Sequence, residues 1–166
     1  MGDRILQNNQ LSSLIEVEND RPKVLNVEGE PRWEYRYIRR AVEDDPNLQL
    51  VTLLRTSPNK FYRQGIDTPE ELSEGFLTSQ EKLFEYDALI LGSIEAGFFT
   101  VEQQDMIREF VNRRGGTLLM IAGRNGLGDG GWGASRVAEV LPVGIPVDGG
   151  PTFFRTPVSV ELTSQG

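Results

Sequence analysis

Short, continuous apolar runs alternate along this chain with segments of helical periodicity. The runs lie at residues 24–27, 48–54, 88–92 and 117–122. Each is solidly apolar, which is typical of strands buried on both faces of a parallel sheet. Helical segments between such strands form right-handed crossover units. The sequence therefore predicts an α/β fold with three layers, in which helices cover both faces of a doubly wound, mostly parallel sheet.

The best-defined helix begins at Thr100. The threonine hydroxyl and Gln103, three residues later, have the spacing of a capping box. Gly115 can take the left-handed conformation that commonly follows a helix. The apolar residues between these ends predict an inner face made of Met106, Ile107, Phe110 and Val111.

An earlier helix is predicted directly after the first strand. Pro31 suits a first helical turn, because the missing N–H has no partner there anyway, and Pro46 marks the end. Shorter helices are predicted behind Thr68, behind Thr78 and at residues 136–141. The apolar residues of the earlier helix predict a single buried face, formed by Trp33, Tyr37, Ile38, Ala41 and Val42.

Composition excludes several classes of function. The 166 residues carry a net charge of −8, so nucleic acid is not expected as a partner. The chain has no cysteine and no histidine, which removes thiolate nucleophiles, histidine bases and the usual zinc ligands. No apolar run approaches the roughly 18 residues that span a bilayer, so we expect no direct membrane insertion of this fragment. The cellular compartment stays open.

The two ends of the chain differ from its middle. Residues 1–22 are polar and predict a linker or an edge strand, whereas residues 23–166 predict the α/β domain. A loop is expected at 142–155 and a last strand near 156–163, three residues before the end. We therefore expect a domain excised from a longer protein.

Polar side chains follow the predicted strands at their carboxyl ends. Ligands of doubly wound sheets bind in the crevice beyond those ends. Carboxylates and guanidiniums at such a rim can bind a small polar ligand or a protein partner, or they can pair with one another and order the loops. The candidate ligand-binding residues are Glu28, Glu30, Arg32, Arg55, Asn59, Ser93, Glu95, Arg124, Asn125, Asp129 and Trp132.

A glycine-rich loop at 123–133 contains the pattern G-x-G-x-x-G. A dinucleotide fingerprint should follow the first strand, but this match follows the fourth. Eleven of the 18 glycines lie between positions 115 and 150, so composition alone makes the match unsurprising. The remaining interpretations are a small-anion cradle and a structural loop, and no cofactor is predicted.

Three further patterns have a possible functional interpretation. The segment 56–66 combines aromatic, basic and turn-forming residues, so it is either a binding loop or a loop that folds back and buries Phe61 and Tyr62. Ser93 lacks the spacing of a nucleophile elbow. Carboxylates at positions 28, 30, 95 and 129 could bind Mg²⁺ or Ca²⁺, although no recognisable metal-loop spacing is present, and no metal site is predicted.

Several motifs together resemble a known family. Residues 27–35 read VEGEPRWEY, residues 53–65 read LLRTSPNKFYRQG and residues 86–92 read YDALILG. Residues 110–116 (FVNRRGG), GRN at 123–125 and GGWG at 130–133 complete the pattern. Over roughly residues 23–145 the chain resembles the class I glutamine amidotransferase-like domain of large bacterial membrane-associated proteins, which often also carry a von Willebrand A-type domain.

The resemblance implies a flavodoxin-like sheet and locates the site of the family's chemistry. In true amidotransferases the turn after the strand matching 117–122 carries the nucleophilic cysteine, whereas residues 123–126 read GRNG here. Glutaminase activity is therefore not expected. The preferred interpretation is a non-catalytic module that binds a ligand or protein partner at the rim. The alternatives are an enzyme that uses rim carboxylates, with or without a divalent metal, and a structural spacer.

Overall fold

The structure, a computed structural model, describes residues 21–148, 156, 157 and 159. Within these residues five strands form one sheet in the order β3-β2-β1-β4-β5. A π-helical turn, Phe110–Arg114, continues the last α-helix, and short 3₁₀ segments occur at Ala96–Phe98, Trp132–Ala134 and Arg136–Val140. The main elements are β1 (Lys23–Glu28), α1 (Trp33–Val42), β2 (Gln49–Ser57), β3 (Lys60–Gln64), α2 (Gln80–Phe84), β4 (Ala88–Leu91), α3 (Val101–Glu109) and β5 (Thr117–Met120).

The sheet is mostly parallel, which confirms the predicted α/β class. Strand β1 pairs in parallel with β2 on one side and with β4 on the other, and β5 continues the parallel order beyond β4. The chain therefore reverses its direction of travel across the sheet between β1 and β4. The carboxyl ends of these two strands meet at the point where such sheets place their crevice.

One strand was missed by sequence reasoning. Residues 56–66 are not a loop, because β2 runs on to Ser57 and β3 returns antiparallel to it from Lys60. The aromatic residues favour a strand, and the two-residue turn between Ser57 and Lys60 closes a hairpin. One alternative for this segment predicted that Phe61 and Tyr62 are both buried. Phe61 does pack against the core, but Tyr62 is 48% exposed.

The main core lies on one face of the sheet. Leu25 and Val27 of β1 join it together with residues of α2 and α3, whereas Val24, Asn26 and Glu28 alternate onto the opposite face. A right-handed crossover from β1 to β2 places α1 on that opposite face.

The predicted buried face of α1 is only partly right. Trp33 is 64% and Tyr37 62% exposed, and no residue of the helix is fully buried. The half-buried positions are Tyr35, Ile38, Arg39 and Val42, so only Ile38 and Val42 of the five predicted residues lie on the packed side. Because that face of the sheet includes buried polar side chains such as Asn26 and Thr52, apolar periodicity did not identify the contacting side.

The remaining helix predictions are confirmed in part. Thr100 and Gln103 form the predicted capping box, and Gly115 has the predicted left-handed conformation. The cap of α2 is Ser79, one residue after the predicted Thr78. The helix predicted behind Thr68 is a series of turns.

Some expectations concern residues outside the described part of the chain. These are most of the linker or edge strand predicted at 1–22, and the last strand predicted at 156–163 apart from three residues. Among the described residues, none of the helices combines the length and apolar character that crossing a membrane requires.

Candidate functional site

The carboxylate of Glu28 fills the junction between β1 and β4. Its side chain is 1% exposed, and Oε1 accepts hydrogen bonds from the Ser93 N–H at 2.9 Å and from Nε of Arg32 at 2.9 Å. Gly92 makes room for it, because a Cβ at that position would overlap the carboxylate. Oε2 has no hydrogen-bond partner among the described residues. The crevice is therefore occupied by a side chain of the protein itself.

Ser93 is fully buried and has two partners. Its hydroxyl donates to Oε1 of Glu30 at 2.6 Å and accepts from the N–H of Asn125 at 3.1 Å. The loop after β1 lies directly against it, since a Cβ on Gly29 would overlap the Ser93 carbonyl oxygen. A serine held in this way links three loops and is not placed to attack a substrate.

Arg32 fastens the end of β1 to the end of β5. Besides its bond to Glu28, the guanidinium donates to the carbonyl oxygens of Ile121 at 3.0 Å and Ala122 at 3.2 Å. All three guanidinium nitrogens therefore have partners, and the side chain is 12% exposed. Arg32 thus acts as a structural clamp across the rim.

A second ion pair lies beside this cluster. Arg55 holds both carboxylate oxygens of Glu95 at 2.6 and 2.7 Å, and its Nε donates to the Gly29 carbonyl at 3.3 Å. The hydrogen bond from Arg55 lowers the pKa of Glu95 below its ordinary 4.5, although partial burial opposes the shift. A general acid at neutral pH needs the opposite shift.

This ion pair predicts a pH dependence of stability. A carboxyl whose pKa is lowered by folding stabilises the folded state above its unfolded-state pKa, and that contribution is lost as the pH falls. We therefore expect Glu95→Gln to be less stable than the parent chain at pH 7 and to approach it below about pH 4. Urea denaturation at both pH values measures the difference. In an Arg55→Met background, Glu95→Gln should lower the free energy of unfolding by less than it does in the parent chain. An equal loss in both backgrounds would contradict the pairing of Arg55 with Glu95.

The glycine-rich loop satisfies its own backbone. The N–H groups of Gly126, Gly130, Gly131 and Trp132 donate to carbonyl oxygens within residues 123–128. Backbone N–H groups that are already paired cannot cradle an anion. The structural-loop interpretation therefore describes this segment best.

Trp132 is a core residue and not part of an exposed rim. It is 0% exposed, and its indole N–H donates to the carbonyl of Ile94 at 2.8 Å. An open binding rim would require Arg55, Arg124 and Trp132 to be exposed. This expectation is wrong for Trp132 and for Arg55, which is 17% exposed and fully paired. Arg124 is exposed.

The structure brings together only part of the predicted site. Asn59 lies exposed in the hairpin turn between β2 and β3, and Asp129 lies exposed on the glycine-rich loop. Within the described part of the chain, no three acidic side chains are grouped so that they could hold a metal ion. The residues that do converge are Glu28, Glu30, Arg32, Ser93 and Asn125, with Arg55 and Glu95 beside them.

An open depression of about 610 Å³ lies next to this paired cluster. Trp33 and Arg36 of α1 form one side of it, and Arg124 approaches from the turn after β5. Arg124 makes no hydrogen bond or ion pair with the described residues, whereas Arg36 lies over the Trp33 ring at 5.5 Å. The full lining is Glu30, Pro31, Arg32, Trp33, Tyr35, Arg36 and Arg124.

Sequence reasoning missed the contribution of α1 to this depression. Helical periodicity assigns Trp33 and Tyr37 to the core and gives Arg36 no role. The available signal was the cluster of arginines among the aromatic residues of one helix, which is unusual for a face that packs on a sheet.

A second cavity, of about 490 Å³, opens at the amino ends of the strands. The ammonium of Lys23 lies between Asp67 and Glu71 at 2.7 and 2.8 Å, and the Tyr86 hydroxyl donates to Glu71. Burial and the bond to Glu71 raise the pKa of Tyr86. Two of the carboxylates that line this cavity, those of Asp67 and Glu71, are thus paired with the protein's own lysine.

No family model, curated protein or solved structure matches the chain. The contacts at the rim therefore carry the evidence on function. These contacts divide the rim into a paired, closed cluster and an open depression beside it.

Proposed function

We propose that this chain is a non-catalytic, class I glutamine amidotransferase-like module with a flavodoxin-like sheet, which binds a carboxylate-bearing ligand or partner in the rim depression. One observation carries the proposal: the crevice between β1 and β4 is closed by the protein's own ion pairs, while Arg124 and Trp33 remain open beside it.

The closed cluster is the argument against catalysis. Glu28 and Ser93 are buried with partners, and Glu95 is held ionised by Arg55. The resemblance would place a nucleophile in the turn at 123–126, which lacks cysteine. Among the described non-glycine residues only Leu72 and Leu127 have positive φ, so Arg124 does not adopt the strained geometry expected of a nucleophile elbow. The carboxylate-enzyme alternative has no comparable support.

The open depression is the argument for binding. Guanidinium groups form strong, directional hydrogen bonds with carboxylates, and an exposed indole ring supplies apolar contact area next to them. Arg124 and Arg36 provide the charge, and Trp33 provides the ring. From the resemblance alone, we infer that the module belongs to a large membrane-associated bacterial protein.

Trp33 gives a direct measurement of occupancy. The chain has two tryptophans, so a Trp132→Phe variant leaves Trp33 as the only indole. We expect its fluorescence to change on titration with free glutamate or with a short glutamate-containing peptide, and Arg124→Gln should abolish the change. Glutamine hydrolysis should be undetectable under the same conditions.

A panel of Mg²⁺, Ca²⁺ and nucleotides provides the comparison. Stabilisation by a divalent metal together with turnover of any substrate would favour the carboxylate enzyme. A fluorescence change that survives Arg124→Gln, or no change with any compound, would contradict the proposal, and the second outcome would favour a structural spacer.

A further inference from the structure

The outer face of α1 is more basic and more aromatic than its surroundings. Trp33, Arg36, Tyr37 and Arg40 follow one another at the spacing of a single helical face, and all four are exposed. The two rings stack on each other, with centroids 6.2 Å apart. We call these four residues the outer face of α1. It continues into the rim depression through Trp33 and Arg36.

The arginines of this face are not neutralised by carboxylates of the protein. Arg32, Arg55, Arg108 and Arg114 each pair with such a carboxylate. Arg36 and Arg40 form no ion pair with a described residue, a property they share with some arginines elsewhere, although the chain has 25 acidic residues. Unpaired guanidiniums beside exposed rings on an acidic protein indicate a surface that meets external negative charge.

The shape of the surface selects the kind of partner. From Trp33 to Arg40 the helix advances about 10 Å, at about 1.5 Å per residue, which is longer than one amino-acid ligand. The rings of Trp33 and Tyr37 are open to solvent. Tryptophan, tyrosine and arginine are also the residues that contribute most to binding energy at protein interfaces.

We propose that the outer face of α1 docks an acidic peptide segment of a partner protein, with Arg36 and Arg40 contacting its carboxylates and Trp33 and Tyr37 contacting its apolar side chains. This inference rests on the proposed function, because one carboxylate of the same segment reaches Arg124 in the depression. It adds the chemical class of the partner and names the helix that binds this partner. A net charge of −8 disfavours nucleic acid and anionic lipid, which present dense phosphate charge to the whole surface.

The test uses a fluorescein-labelled peptide of alternating Glu and Leu, with a Gln-and-Leu peptide as its control. Fluorescence anisotropy should detect binding of the acidic peptide only, and binding should weaken as salt increases. The variant Arg36→Glu with Arg40→Glu should weaken binding at least about tenfold. The matched control reverses two exposed arginines elsewhere, Arg113→Glu with Arg136→Glu, and should leave affinity unchanged. Circular dichroism verifies that both variants are folded.

The outcomes separate this inference from the proposed function. If glutamate still changes Trp33 fluorescence but the Arg36→Glu with Arg40→Glu variant binds the peptide as tightly as the parent chain does, the inference is overturned and the proposed function stands. If Arg124→Gln leaves both responses intact, the proposed function fails. Equal loss in both double variants would indicate net charge alone and overturn the inference. Binding of phosphatidylserine vesicles or RNA without binding of the peptide would also overturn the inference. Self-association that the outer-face variant abolishes would overturn it as well, because it would assign the face to a second copy of the chain.

Discussion

Replacing Trp132 with alanine is expected to lower the free energy of unfolding by about 3–5 kcal/mol, because it leaves a large cavity in the core. The side chain is fully buried against Phe99 and also loses its hydrogen bond to the Ile94 carbonyl. Urea denaturation followed by circular dichroism measures the loss independently of tryptophan emission.

The chain provides a matched control for this substitution. Trp33→Ala removes the same side chain from a position that is 64% exposed, and it should change stability by no more than about 0.5 kcal/mol. Similar losses at the two positions would mean that Trp132 is not in the core, and that the indole belongs to the rim as the sequence predicted.

Replacing Glu28 with alanine is expected to cost a similar amount, about 3–5 kcal/mol, because removal of one partner leaves Arg32 largely buried without its carboxylate. The Ser93 N–H loses its acceptor in the same change. Thermal and urea denaturation should both report the loss, and Arg124 should shift position because Ser93 also holds Asn125 in the same turn.

Glu34 provides the comparison for Glu28. Its carboxylate lies 3.8 Å from the same guanidinium but is 53% exposed, so Glu34→Ala should cost no more than about 0.5 kcal/mol. The double variant Glu28→Leu with Arg32→Leu should recover part of the loss, since no buried charge then remains unpaired. Equal costs at positions 28 and 34 would contradict the buried ion pair.

The parallel strands of the sheet could be predicted because they are continuous apolar runs. Helix α3 could be predicted because the sequence carries explicit capping residues at its ends. Strand β3 was not predictable in the same way, since Phe61 and Tyr62 are adjacent and flanked by charged residues, in a short segment that is equally compatible with a loop. The packing side of α1 failed for a different reason. Periodicity identifies an apolar face, but only the polar character of the facing sheet decides whether that face turns inward.

The position of the candidate site could be predicted from the sequence. Whether its side chains pair with one another or stay open to a ligand could not. The rule for the carboxyl ends of strands selected Glu28, Ser93 and Arg32, which do converge. Whether such groups bind a ligand or one another depends on distances of a few tenths of an ångström, which spacing along the chain does not determine. The local signals were Gly29, Gly92 and Gly123, because these positions leave no room for a Cβ.

The Arg32 clamp also has a consequence for the order of folding. Its carbonyl acceptors lie 89 and 90 residues further along the chain, beyond every other described strand. Contacts between such distant residues form late, because a long loop must close first. A chain that has folded only as far as β4 can therefore form α1 but cannot fix its first turn, so Trp33 and the depression acquire their final arrangement only when β5 joins the sheet.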